Sequence, residues 1–190
     1  MNSDFEIKKT SLKDAYVIVP FSRDDNRGNF TKDFFKVFFE ENGLDADLCE
    51  TFYARNDKVN TLRGLHFAFK NPQTKIVKCI TGEIFDVIVD LRKDSSSYLQ
   101  WEGFYLSEEN NMSLYVPKGF AHGYLTISPG IVSYKCCGTF YPEYDTGINF
   151  RDKTFNIKWP IEDFNDVTIS TKDDALKSFE EMKELIDFGG

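Results

Sequence analysis

Histidine is almost missing from this chain: of 190 residues only two, His66 and His122, are histidine. Candidates for a base that titrates near neutral pH are correspondingly few. Cysteine is also sparse, and Cys49, Cys79, Cys136 and Cys137 show neither CxxC spacing nor the dense pattern of a small secreted scaffold. The first nine residues carry no apolar signal-like stretch, so a reduced, cytoplasmic protein is expected. No apolar run approaches the roughly 18 residues a membrane span needs, which predicts a soluble chain with no membrane partner. Excess positive charge is absent as well: the net charge is −8. That field repels nucleic acid and anionic lipid, so an anionic ligand has to be held by local Lys and Arg. No internal repeat, low-complexity tract or Pro/Ser-rich linker divides the chain. Residues 1–190 are expected to form one domain, with a core over about 15–160 and a tail over about 172–188.

What is abundant is Val, Ile, Phe and Tyr in short runs separated by turn residues. They fall at 51–56, 62–69, 74–80, 83–91, 98–106, 111–116, 123–128 and 131–140. Strands at this spacing predict an all-β sandwich or barrel, and an antiparallel jelly roll fits best. Thr81-Gly82 and Ser128-Pro129-Gly130 read as tight turns, from which successive strands are expected to pair as antiparallel neighbours. Before this core, residues 33–42 carry Phe34, Phe35, Val37, Phe38 and Phe39 with Gly43 following, which predicts a short helix with a glycine cap. After it, Ala175, Leu176, Phe179, Met182, Leu185 and Ile186 predict a helix over 173–188 that packs on the domain.

Chemistry-bearing residues interrupt these runs. Strict alternation puts His66 on the face of Leu62 and Gly64, with Arg63 opposite unless the strand bulges near Gly64. Taken alone, His66 is either a satisfied core residue or a base. Lys75 and Tyr134 each sit in an apolar strand, and parity does not say which face is inside: a snorkelling edge lysine and a packed tyrosine compete with a pair aimed at a ligand. His122 follows a Pro-Gly turn at a strand mouth, where ligand contact and turn hydrogen bonding both fit. Metal binding is disfavoured, because metal-binding jelly rolls commonly use two histidines one residue apart, a carboxylate and a third histidine, whereas position 68 is Ala68. Arg27-Gly28-Asn29-Phe30 suits a surface turn. Ser170-Thr171-Lys172-Asp173 suits a helix cap, and Asp173 could instead orient a distant histidine.

In order along the chain, those segments resemble the dTDP-4-dehydrorhamnose 3,5-epimerase family, homodimeric nucleotide-sugar epimerases with a cupin jelly-roll (double-stranded β-helix) fold. The resemblance runs from about residue 15 to 173. It rests on Arg27-Gly28-Asn29-Phe30, Leu62-Arg63-Gly64-Leu65-His66-Phe67, Gln73-Thr74-Lys75, the run from Gly82 to Arg92, Tyr115-Val116-Pro117-Lys118-Gly119-Phe120-Ala121-His122-Gly123, Tyr134-Lys135-Cys136, Trp159-Pro160 and Ser170-Thr171-Lys172-Asp173. It implies that His66 is the general base, Asp173 its carboxylate partner, Tyr134 the acid on the opposite face of the sugar, and Lys75 the cation beside the developing enolate, with no metal or organic cofactor. It further implies substrate contacts at Arg27, Arg63, His122 and Lys172, and more loosely at Asp145.

Two positions depart from the pattern. Lys32 stands where the family usually has Glu, and Ala54-Arg55-Asn56 where it has Gln-x-Asn. Those positions line the nucleotide-base end of the family's site, and exchanging an acceptor for a donor removes a partner for the ring N–H of thymine. The expected activity is epimerisation at C3, C5 or both of a nucleoside-diphosphate 4-keto-6-deoxy sugar, in deoxysugar synthesis for surface glycans, with altered base recognition. The rivals are a 3,4-ketoisomerase or single-centre epimerase, and a non-catalytic nucleotide-sugar-binding cupin.

Overall fold

Strands buried on both faces read as continuous apolar runs, whereas half-buried ones alternate. Both kinds occur here, and they locate the layers. In the computed structural model, which describes residues 5–188, the chain forms strands β1 (Glu6–Lys9), β2 (Tyr16–Val19), β3 (Phe21–Asp25) and β4 (Gly28–Lys32), helix α1 (Lys36–Glu41), then β5 (Leu48–Asn56), β6 (Thr61–Ala68), β7 (Thr74–Thr81) and β8 (Glu83–Asp90). There follow β9 (Trp101–Ser107), β10 (Ser113–Val116), β11 (Phe120–Thr126), β12 (Gly130–Cys137), β13 (Asp145–Gly147), β14 (Thr168–Ile169) and short helices α2 (Thr171–Asp174) and α3 (Phe179–Met182).

Two sheets face one another. One has the order β1-β2-β10-β7-β12-β5, the other β13-β6-β11-β8-β9. Pairing is antiparallel except for the two-residue β14, which runs parallel to β6. The fold is therefore the expected antiparallel jelly roll, and its interior is filled by Val77, Ile84, Ile88, Leu106, Leu114, Tyr124 and Val132. Outside the second sheet, Phe150, Phe155, Trp159, Phe179 and Ile186 cover Leu65, Phe67, Val87 and Val89. This is why β8 is buried from Ile84 to Asp90. Outside the first sheet, α1 seats Phe38 and Phe39 against Ile18, Ile76 and Tyr115.

Two expectations need correction. Thr81-Gly82 and Ser128-Pro129-Gly130 are not hairpin loops: β7 and β12 lie in the first sheet, β8 and β11 in the second. Each turn is a corner that carries the chain between sheets, and the two corners pack on each other. The Glu83 N–H donates to Ser128 Oγ at 2.9 Å, and a Cβ on Gly82 would sit 2.3 Å from the Pro129 carbonyl oxygen. Positive φ at Gly82, +77°, serves a corner as well as a hairpin. Likewise, the single helix over 173–188 is two short ones. Ser178 and Glu181 form a reciprocal capping box that restarts the helix at Phe179. The apolar spacing still does its predicted work, since Phe179, Met182 and Ile186 are buried against the second sheet. The helix expected over 33–42 forms over Lys36–Glu41, and Gly43 follows it at φ +70°.

Outside both sheets, β3 and β4 form a separate two-stranded arm. Its links to the body are few: Asn111 Nδ2 donates to Thr31 Oγ1, and Lys135 pairs with Asp33 just beyond β4. At its turn Arg27 forks onto the Asp25 carboxylate, 2.6 Å away, with 85% of its own side chain exposed.

Candidate active site

Strand β6 carries one residue more than its partner between the points where they pair. His66 lies opposite His122 and Arg63 opposite Tyr124, so a three-residue step on β6 matches a two-residue step on β11. That irregularity at Gly64 turns Arg63 and His66 to the same side, while Leu62, Leu65 and Phe67 face the outer core. A Cβ on Gly64 would lie 2.7 Å from Gly123 Cα and 2.7 Å from the His122 carbonyl oxygen, so only glycine permits this approach.

The cavity so formed, about 370 Å³, lies between the two sheets. The second sheet contributes Arg63, His66, His122 and Asp145, and the first contributes Ala54, Lys75 and Tyr134. Tyr134 and Lys75 share the inward face of their strands with Val132 and Val77, which settles the parity question left open by sequence. The remaining wall includes Glu50, Phe52, Gln73 and Phe140. None of these four was singled out beforehand as a site residue, because an aromatic residue on an edge strand carries no chemical signature until its neighbour is known. Phe52 lies flat on the Tyr134 ring, with centroids 4.7 Å apart and planes 15° apart.

His66 Nε2 lies 2.9 Å from Asp173 Oδ1, and Asp173 Oδ2 accepts the Gly64 N–H at 3.1 Å. Asp173 also sits in the first turn of α2, where Ser170 accepts its backbone N–H, so capping and histidine orientation are done by one segment. Burial works against the Asp173 charge, but His66, Gly64 and Ser170 outweigh it and hold the carboxyl below its ordinary range. An ionised Asp173 accepts a hydrogen bond from the Nε2–H and leaves Nδ1 as the ring's acceptor. Burial pushes the Tyr134 phenol well above its ordinary value, so it keeps its proton at neutral pH. Beneath the cavity, Arg63 Nε donates to Asn56 Oδ1 at 3.0 Å and Tyr124 donates to the same oxygen, so Asn56 anchors the guanidinium from below.

At the rim, Asp145 accepts from Lys172 at 3.2 Å. Arg27 and Lys32 are not part of this wall: both lie on the arm, where Lys32 sits over the rings of Phe21 and Phe35. Among the described residues no cluster of three or more His, Cys, Asp or Glu could hold a metal ion.

A family model described as dTDP-4-dehydrorhamnose 3,5-epimerase matches residues 9–181. The chain belongs to that family. A dTDP-4-dehydrorhamnose 3,5-epimerase of Methanothermobacter thermautotrophicus is 44% identical over 183 residues, which cover 94% of this chain and 97% of the relative. Among solved structures, a dTDP-6-deoxy-D-glucose-3,5-epimerase of Legionella pneumophila, in complex with dTDP-4-keto-L-rhamnose, superposes with a TM-score of 0.90 at 34% identity. That match covers 96% of this chain and 97% of that one. The dTDP-4-dehydrorhamnose 3,5-epimerase of Bacillus anthracis, with TDP and pyrophosphate bound, matches with a TM-score of 0.86 at 37% identity, covering 92% and 99%. As a member of this epimerase family the protein is an isomerase with a cupin jelly roll.

Proposed function

We propose that the protein inverts C3 and C5 of a nucleoside-diphosphate 4-keto-6-deoxy sugar through an enolate, with dTDP as the carrier nucleotide. The observation that carries this reading is a single cavity with an Asp173-oriented histidine on one sheet and a buried, proton-bearing tyrosine on the sheet opposite. A C–H beside the C4 ketone is removable only if the enolate oxygen is stabilised. In the proposed cycle His66 Nδ1 takes the proton, Lys75 and Arg63 hold positive charge over the cavity, and Tyr134 returns a proton from the other side. The phenol then recovers a proton from solvent, and the His66 imidazolium releases the abstracted proton to solvent. Because base and acid stand on different sheets, removal and return occur on opposite faces of the ring, which inverts the centre. Repetition at the second carbon flanking the ketone uses the same groups. The same opposition speaks against a ketoisomerase, which has to return the proton to a neighbouring carbon.

The carrier nucleotide rests on what the similar proteins are named for and bind, set against Lys32 and Ala54. A panel of 4-keto-6-deoxy sugars on dTDP, CDP, GDP and UDP in D₂O tests both parts. Deuterium at C3 and C5 with inverted products, fastest on dTDP, is expected. Equal or faster turnover on another carrier replaces the base assignment. No exchange on any carrier supports a binding protein instead.

A homodimer is part of this proposal. Strand β5 ends its sheet with Phe52 and Tyr53 exposed, and the arm presents Phe30, 61% exposed, beside Arg27, so a second copy has both a free edge and a projecting arm to engage. Light scattering after gel filtration is expected to give twice the 22.0 kDa chain mass. All four cysteines are free thiols, and no helix among the described residues is long and apolar enough to cross a membrane. Both facts accord with work in a reducing cytoplasm.

A further inference from the structure

Two histidines line the cavity, and each is backed by a carboxylate, His66 by Asp173 and His122 by Asp86. We infer that the His122–Asp86 pair is a fixed hydrogen-bond donor, carrying a proton on His122 Nδ1 and aiming it at an anionic oxygen of the ligand, while His66 alone is the base. Asp86 lies in mid-β8, pointing with Ile84 and Ile88 into the interior, and is completely buried. Both its oxygens lie within hydrogen-bond distance of His122 Nε2, at 2.8 and 3.0 Å, and no other described donor bonds them. Asp173, by contrast, has a backbone N–H and a position in the first turn of a helix in addition to its histidine.

A lone buried carboxylate with one neutral partner is expensive, so the pair is held electrically neutral. Neutrality is reached as imidazolium with carboxylate, or as imidazole with carboxylic acid. In the first form both ring nitrogens carry protons. In the second, Nε2 accepts from the acid and the ring proton is on Nδ1. Either way Nδ1 is a donor. The titratable groups that face this space are Glu50 on β5, Arg63 and His66 on β6, Lys75 on β7, Tyr134 on β12 and Asp145 on β13, with the buried Tyr124 of β11 close to Asp86. Arg63 and Lys75 oppose a further positive charge on the ring, but neither bonds Asp86, and Arg63 is engaged by Asn56. Burial drives the Asp86 carboxyl upward even with His122 beside it, in keeping with a shared proton. Asp86 is then a positioning residue, and His122 a donor that adds to Lys75 where oxyanion charge collects.

The ligand in this inference rests on the epimerase reading; the proton placement does not. With only two histidines in the sequence, imidazole ¹⁵N NMR of the full-length protein, assigned with His66→Asn, reads both rings directly. A protonated Nδ1 on His122 throughout pH 6–9 is expected; an unprotonated His122 Nδ1 in that range overturns the proposal even in a fully active enzyme. A kinetic arm follows the donor. His122→Asn keeps an amide N–H near the Nδ1 position and is expected to stay within about 10-fold of wild-type turnover, whereas His122→Ala loses on the order of 100-fold. Equal loss in both variants, with unchanged melting, counts against donation.

Discussion

The cavity and the β3–β4 arm hold the same kinds of residue on opposite terms. Arg63, although exposed at the cavity, is bonded by Asn56; Arg27 stands in water and forks onto a carboxylate two residues away. Lys75 projects into the space between the sheets, while Lys32 lies over the half-buried rings of Phe21 and Phe35. A cation held by a rigid sheet acts where the fold aims it, and a cation on an arm acts only where the arm is docked. The chain leaves the family pattern once on the arm, at Lys32, and once in the cavity wall, at Ala54 on β5, while the residues implied for catalysis are unchanged.

Several changes sharpen that contrast. The largest effect is expected from His66→Asn, which removes the base while preserving a polar side chain: solvent exchange at C3 and C5 should fall at least 1,000-fold, within the span general bases contribute. Tyr134→Phe should cut inversion about 100-fold yet let deuterium enter with retained configuration, because His66 can return the proton on its own face. Loss of both exchange and inversion in that variant would break the two-sheet division of labour.

Asp173→Asn should cost about 10- to 100-fold in turnover by freeing the ring's tautomer, and it carries a pH signature. The Asp173 carboxyl is held below the unfolded value of about 3.9, so its stabilisation is present above that pH and is lost as pH falls through the lower folded value. The Asn variant should therefore melt with a flatter dependence below about pH 4 than wild type in differential scanning calorimetry. The smallest effect is expected on the arm. Arg27→Ala should leave melting unchanged and raise KM several-fold with kcat preserved, in keeping with peripheral binding. A kcat loss as large as that from Arg63→Ala would erase the distinction between wall and arm.

Much of this was legible in the sequence because strands announce themselves by spacing, and because Gly64 inside a strand signals a bulge. Without that bulge Arg63 and His66 face opposite ways, so the position of one glycine decided whether two candidates met. Turn chemistry was less informative: Gly82 supplies the same positive φ to a hairpin as to a corner between sheets, and sheet membership depends on contacts far along the chain. The broken tail helix reflects competition between apolar periodicity, which fits one helix, and the Ser178–Glu181 capping box, which starts a new one. Asp86 stood inside the Gly82–Arg92 run on which the resemblance rests. Its role was invisible because a carboxylate in an apolar strand declares nothing until His122 is found against it, 36 residues on.

The floor of the cavity is built where three strands come too close for side chains. A Cβ on Gly64, Gly123 or Gly147 would fall within 2.7 Å of backbone on the neighbouring strand. Mutational drift, natural or in the laboratory, has no purchase there, because any replacement spreads the strands and pulls His66 away from His122. Whoever wishes to retune this protein for another sugar must therefore work on the walls, at Ala54, Phe52, Gln73 and Phe140, and inherit the floor as it stands.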